Sequence, residues 1–189
     1  MKKNLLGMMC VVVGALGFLV LTGCATAPAT KQGKTDIRDD AATALNKAQA
    51  NDPTLISFID NAAGYAVFPS VGKGGAGVGG AYGKGVLFQN GKAVGYCDLS
   101  QASIGAQLGG QSYTEIICFE SANSVDRFRQ GNFRFDAQAT AVALKSGAGA
   151  NAKYREGVVV FTMDETGLMA EAVVGGQQFG YQARQNQNP

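Results

Sequence analysis

The side chains here that could do chemistry are four cysteines and scattered lysines and carboxylates; histidine is absent. Without an imidazole, Ser-His-Asp and Cys-His nucleophiles, histidine-ligated zinc and the commonest general base are all removed. The carboxylates form no pair suited to acid–base work, and Glu115, Glu120 and Asp126 read as solvated surface charges. Gly72-Lys73-Gly74-Gly75-Ala76-Gly77 matches the spacing of a dinucleotide-binding loop, with Asp98 about 20 residues further on. The context argues against it: Phe68-Pro69 ends the preceding apolar run, and no helix is signalled after the glycines. Gly83-Lys84 is followed by Gly85 where a P-loop needs Ser or Thr. No metal and no cofactor is expected, and an enzyme is the weakest of the functional classes.

Covalent attachment is what remains, and it points to Cys24. Lys2 and Lys3 precede an almost unbroken apolar run from Leu5 to Leu21, which stops at Thr22-Gly23-Cys24. Charge, apolar segment and small-residue end follow one another as in a secretory signal. Leu21-Thr22-Gly23-Cys24 resembles the lipobox of bacterial lipoproteins, which implies that Cys24 becomes the first mature residue and carries the acyl anchor. Ala25, where an aspartate would retain the protein elsewhere, resembles the default sorting signal for the outer membrane. The competing reading is an uncleaved transmembrane anchor, but the run is near the lower limit of roughly 17 residues and is interrupted by Gly7, Gly14 and Gly17.

Two cysteines, Cys97 and Cys118, survive loss of Cys10 and acylation of Cys24, in a compartment that permits disulfides. A bridge between them would add about 3 kcal/mol in the chain-entropy picture. In a simple meander they fall on strands two apart, about 9–10 Å, which is beyond disulfide reach. Both a disulfide and a pair of buried free thiols stay open.

The precursor carries 16 basic and 14 acidic residues; without Lys2 and Lys3 the balance is 14 against 14. A neutral domain is not a general nucleic-acid binder, since phosphate neutralisation needs an excess of Lys and Arg. Charge is nonetheless uneven. No acidic residue occurs between Asp60 and Asp98, whereas Lys73, Lys84 and Lys92 all do. These three lysines are the candidate contacts for an anionic surface, each contributing about 1 kcal/mol near one.

The elements that must position these groups follow from pattern. Ala25 to Lys34 is small, polar and Pro-containing, as a flexible tether is. Ile37, Ala41, Ala44, Leu45 and Ala48 recur at helical spacing, and Asp52-Pro53 reads as the N-cap of a second helix carrying Leu55, Ile56, Phe58, Ile59 and Ala62. From Gly64 onward the pattern is of short β runs punctuated by glycine: Tyr65–Phe68, Val78–Tyr82, Val86–Phe88, Ala93–Cys97, Ile104–Leu108 and Tyr113–Phe119. Glycine at that density signals bulges and close backbone approach. Asn90-Gly91 between two apolar runs is a hairpin signal. A short helix is expected over 121–130 with Gly131 as its stop, then strands over 133–144, 158–163 and 168–174 with a turn at 164–167. The expected core is Phe68, Val78, Val86, Phe88, Ile104, Ile116, Phe128, Val159 and Phe161.

At this point the residues resemble a family. Phe68-Pro69-x-x-x-Lys73-x-Gly75-x-Gly77-x-Gly79-Gly80-x-x-Gly83-x-Gly85 is similar to the signature of the SYLF domain, also known as the lipid-binding or yeast actin-patch actin-binding domain. Ala102-Ser103-x-Gly105-x-Gln107-x-Gly109, Arg127-Phe128-Arg129 and Gly167-Leu168-Met169-Ala170 follow in the family's order, and the resemblance covers about Ile37 to Tyr181. It implies a non-enzymatic domain that binds membrane phospholipid, phosphoinositides in eukaryotic members, and actin in fungal ones. Ala76, where relatives often carry an aromatic, and Lys84, where an acidic residue is common, depart from the pattern. With an envelope address actin is not expected as a partner.

Residues 1–23 are thus read as a signal peptide, 24–34 as a lipidated tether, 35–182 as a SYLF-like domain and 183–189 as a disordered tail. The expected fold is α+β: amphipathic N-terminal helices on a Gly-rich, strongly coiled antiparallel sheet or partly closed barrel, with one short helix inserted. The expected function is that of an envelope lipoprotein, outer-membrane anchored and facing the periplasm, whose domain binds anionic phospholipid. A structural module that binds another envelope protein is the alternative.

Overall fold

Asn90 and Gly91 both take positive φ, 50° and 69°, the handedness that joins twisted strands in a two-residue hairpin. They connect β1 (Gly64–Gln89) to β2 (Lys92–Phe119) in a computed structural model that describes residues 26–131, 134–135, 141–144, 147–174 and 176–184. The expected leader over 1–23, Cys24 and tail residues 185–189 lie outside the described residues. The two strands pair antiparallel from Gln89↔Lys92 to Gly64↔Phe119. So the six short runs expected here are two long strands. The glycines between runs do not end them; register shifts between Phe68 and Val71, Ala76 and Val78, and Leu87 and Phe88 absorb the irregularity.

Glycine also lets β1 return against itself. A Cβ at Gly85 would lie 2.6 Å from Val67 O and 2.7 Å from the Phe68 ring, and one at Gly83 would lie 3.0 Å from Ser70 O. Only a residue without a side chain permits that approach.

The other edge of β2 is shared. β5 (Val158–Val174) runs antiparallel along it from Phe119↔Val158 to Ile104↔Val174, and β6 (Gln177–Ala183) continues from Gln101↔Gln177 to Gly95↔Ala183. The turn expected at 164–167 is not made. The backbone runs through it, with Tyr113↔Asp164 and Ser112↔Thr166 flanking one extra residue, Glu165. In place of one strand over 133–144 there are β3 (Arg134–Phe135), paired with β6, and β4 (Ala141–Ala143), paired parallel with β5. The sheet order is β3-β6-β2-β5-β4 with β1 on β2. The fold is α+β, and the sheet is open at β3 and β4: it does not close into a barrel, and the β4–β5 pairing makes it mixed.

Three α-helices accompany the sheet. α1 (Lys31–Asn51) starts inside the segment expected as tether, where Thr30 Oγ1 accepts from Gly33 N at 3.0 Å. Ala27 is already buried, with its N–H donating to Gln182 Oε1 at 3.3 Å, so the folded unit begins well before residue 35. Ala41, Ala44 and Ala48 are the buried stripe of α1. α2 (Leu55–Asn61) follows Asp52-Pro53. α3 (Ala122–Arg129) is capped by Ser121, whose Oγ accepts from Ser124 N, and is followed by Gly131 at φ 68°.

Alternation along β2 divides the core in two. Leu99, Ile117 and Phe119 join Phe68, Phe128 and Phe179 in one cluster with α3; Tyr96, Ile116 and Cys118 join Tyr65, Val67, Val86 and Phe161 in the other with α1 and α2. Of the expected core residues, Phe68, Val86, Ile116, Phe128, Val159 and Phe161 are buried and Phe88 is half-buried. Val78 and Ile104 are corrections: they are 68% and 73% exposed and belong to neither core cluster among the described residues.

Candidate functional site

The three lysines singled out from the sequence occupy three different environments. Lys73 is buried and sits close enough to Glu115 to act on its charge. Lys84 is half-buried and lines a groove of about 400 Å³ beside α1 with Asp40, Lys47 and Ser70. Lys92 is exposed where β2 leaves the Asn90-Gly91 turn. They do not form one patch.

Glu115 is the first group the sequence reading misplaced. It lies on the inner face of β2 between Tyr113 and Ile117, almost completely buried. The alternation of Tyr113, Ile117 and Phe119 put position 115 on that face. Gln177 Nε2 donates to its Oε2 at 2.9 Å. Burial pushes the carboxyl up to about 7, against the hydrogen bonds from Gln177 and Tyr113 and the charge of Lys73. Gln101 and Gln177 stand opposite each other in register, both buried. Glu115 Oε1, Gln177 Oε1 and Gln101 Nε2 have no hydrogen-bond partner among the described residues.

Asp52 is buried as well, and works as a clasp. Its Oδ1 accepts from Thr54 N at 3.0 Å and Thr54 Oγ1 at 2.6 Å, and its Oδ2 accepts from Gly149 N at 2.7 Å. Burial acts to raise its pKa, but the hydrogen bonds outweigh it and hold the carboxyl below its usual value. It ties the α1–α2 junction to the short 3₁₀ turn Ala148–Asn151.

At the hairpin-turn end, Arg38 of α1, Lys92 and Arg184 line a concavity of about 520 Å³ with Ala93 and Val94. Sequence reasoning found Lys92 but not the other two, which are distant in the chain and carry no local motif. Midway along the same hairpin, Val78, Ile104 and Leu108 are between 68% and 73% exposed, with Val78 paired to Ile104 in register. Neither feature suggests catalysis. Among the described residues no cluster of three or more His, Cys, Asp or Glu could hold a metal, and no helix is long and apolar enough to cross a membrane.

The thiol question is answered by parity on one strand. Cys97 and Cys118 both belong to β2, in opposite core clusters, and both are free. On one continuous strand the two thiols lie on opposite faces, each in its own core cluster.

Among the comparisons with known proteins, the family match reaches the later motif blocks, from Ala102 onward, and not the glycine-rich block over 68–85. The family described as "Ysc84: Las17-binding protein actin regulator" matches residues 100–188. Beta cell expansion factor A of Aeromonas veronii is 30% identical over 156 residues, covering 79% of this chain and 57% of that protein. The chain thus spans little more than half the length of this relative. Over its β2-to-β6 half, residues 100–188, the chain is a domain of the Ysc84 (SYLF) family, a family of binding domains.

Proposed function

We propose that this chain is a bacterial envelope lipoprotein, acylated at Cys24 and held on the periplasmic side of the outer membrane, whose SYLF domain binds anionic phospholipid and catalyses nothing. The family's binding character supports the domain part of that reading. What supports the anchored part is the leader sequence that ends at Thr22-Gly23-Cys24, and Ala27, buried beside Gln182, bears on where the domain would then sit. Folded structure begins three residues after Cys24, so an acyl chain there would hold the domain within about 10 Å of the bilayer surface. A domain pressed against head groups has reason to offer them cations.

The test is co-sedimentation of residues 25–189 with phosphatidylcholine and phosphatidylglycerol vesicles at low and high salt. Every described member of both core clusters lies within those residues. Salt-sensitive binding to the anionic vesicles alone is expected. A Cys24→Ser chain that still incorporates a palmitate analogue in cells would refute the anchor.

A second reading, an interaction module for another envelope protein, is favoured by the exposed Val78, Ile104 and Leu108. Absence of vesicle binding would turn the reading in that direction. The actin regulation named in the family description does not transfer to a chain with this leader.

A further inference from the structure

Arg38, Lys92 and Arg184 come from a helix, a hairpin turn and the chain's last strand, and they converge on one concavity of about 520 Å³. We propose that this concavity is a binding site for a phosphate ester, with the three cations as its ligands and Ala93 as its apolar floor. The inference deepens the lipid-binding reading, on which its membrane arm rests.

Each cation is held in position by backbone structure. Arg184 N–H donates to Val94 O at 2.9 Å, which sets Arg184 across from Val94 just beyond the β6–β2 pairing. Lys92 follows directly on Gly91, whose φ of 69° fixes the turn. Arg38 donates from Nε to Lys34 O at 3.0 Å and from Nη2 to Thr35 Oγ1 at 3.2 Å. Those two bonds orient the guanidinium on α1 and leave the rest of its five N–H donors available.

Among the described residues nothing lining the concavity balances the charge. Its lining contains no carboxylate, and no ion pair engages Lys92 or Arg184 among the described residues. Like charges brought together by tertiary contacts repel, and the arrangement is unfavourable until an anion enters. Two guanidiniums and an ammonium suit a tetrahedral phosphate, which accepts bidentate bonds from Arg and a point charge from Lys. The methyl group of Ala93, which packs on the α1 side of the sheet, suits the glycerol or other carbon stem of an ester.

The chain's entry point lies alongside. Ala27 N–H bonds the Gln182 side chain, two residues before Arg184 and on the same side of β6. A membrane reached through Cys24 would meet this end of the domain, where the ligand is a lipid head group. A soluble phosphate ester presents the same chemistry.

The experiment compares residues 25–189 with Arg38→Gln/Lys92→Gln/Arg184→Gln and with a charge-matched control, Lys47→Gln/Lys153→Gln/Arg155→Gln. Circular dichroism confirms that each variant is folded. One arm is co-sedimentation with phosphatidylglycerol vesicles; the other is titration with glycerol 1-phosphate, followed by the amide resonances of Ala93 and Val94. The site variant should bind vesicles about 100-fold more weakly and the control less than about 5-fold, from about 1 kcal/mol per cation at the surface. Glycerol phosphate should shift the two amides in the native chain and not in the site variant. Shifts without any vesicle binding would keep the site, assign it a soluble ester and remove the lipid reading. Vesicle binding equal in site variant and control would overturn the site while leaving the lipid reading. Silence from both probes would overturn both.

Discussion

Gln177, the first residue of β6, donates from Nε2 to Glu115 Oε2 of β2 at 2.9 Å, and both side chains are almost wholly buried. The contact bridges 62 positions of sequence. Gln177 pairs with Gln101 where β2 passes from β6 to β5, while Glu115 pairs with Thr162 further along β5, so a single carboxyl reports on how the start of β6 is seated. Because Glu115 Oε1 has no partner among the described residues, the ionised form is under-solvated and the neutral form is favoured.

Stability should therefore fall as pH rises through neutrality. The folded-state pKa, about 7, lies above the ordinary 4.5, so the protonated carboxyl's contribution is complete below pH 4.5 and is lost as pH passes 7. The full difference is about 3 kcal/mol. Urea unfolding of residues 25–189 at pH 5 and pH 8 should show most of it, and Glu115→Gln, which keeps the shape without the charge, should flatten the profile. A native chain as stable at pH 8 as at pH 5 would remove the claim.

Asp52 has the opposite sign. Its folded pKa lies below the ordinary 3.8, so its stabilisation is present above pH 3.8 and is lost as the pH falls through the folded value. Asp52→Ala leaves Gly149 N–H without its acceptor and frees Thr54. A buried donor without a partner costs about 1–3 kcal/mol. Asp52→Asn, which still offers one acceptor oxygen, should lose less. Denaturation midpoints of the two variants at pH 7 order them, and equal midpoints would mean that Gly149 finds another partner.

Much of this fold was legible in the sequence, for reasons that particular residues show. Asn90-Gly91 announced the hairpin because few other dipeptides accept positive φ twice. Gly131 announced the end of α3 in the same way. The glycines of β1 signalled close backbone approach, which Gly83 and Gly85 make against the strand's own first half, but they run inside one strand where short separate runs were expected. That approach is tertiary, and no local window contains both Gly85 and Val67. The same holds at the site. Lys92 could be nominated by composition, but Arg38 and Arg184 join it only through α1 packing and β6 pairing, both long-range. Glu115 was misjudged because its charge outweighed the alternation of its neighbours, although Tyr113, Ile117 and Phe119 already marked an inner face.

The self-approach of β1 gives a sharp test. In Gly85→Ala the new methyl would stand 2.6 Å from the Val67 carbonyl oxygen, so backbone must move. Overpacking of this kind costs about 1–3 kcal/mol. Gly72→Ala is the comparison, since its nearest atom is Tyr82 O at 4.0 Å. Thermal melts should separate the two variants by several degrees, with Gly72→Ala close to native.

The thiols should be silent in the folded protein. Burial pushes Cys118 up to about 12 and Cys97 well above its usual range, so neither offers a thiolate at neutral pH. A chromogenic disulfide reagent should find no thiol in residues 25–189 under native conditions and both once urea is added, without reductant. Finding none in urea would mean a bridge and would contradict the placement of the pair on opposite faces of β2.

The exposed middle of the hairpin separates apolar composition from apolar burial. Ile104 and Leu108 look like core residues in the sequence but are 73% and 71% exposed. Replacing both with Ser removes little buried surface, and surface changes of this kind shift stability by about 0.5 kcal/mol or less. Ile116→Ala, from the same strand but fully buried among Val67, Phe161 and Cys118, should cost about 2–5 kcal/mol. Denaturant midpoints of the two variants measure the contrast. A double Ser variant as unstable as Ile116→Ala would mean that Ile104 and Leu108 are covered in solution, by a second copy if the difference grows with protein concentration.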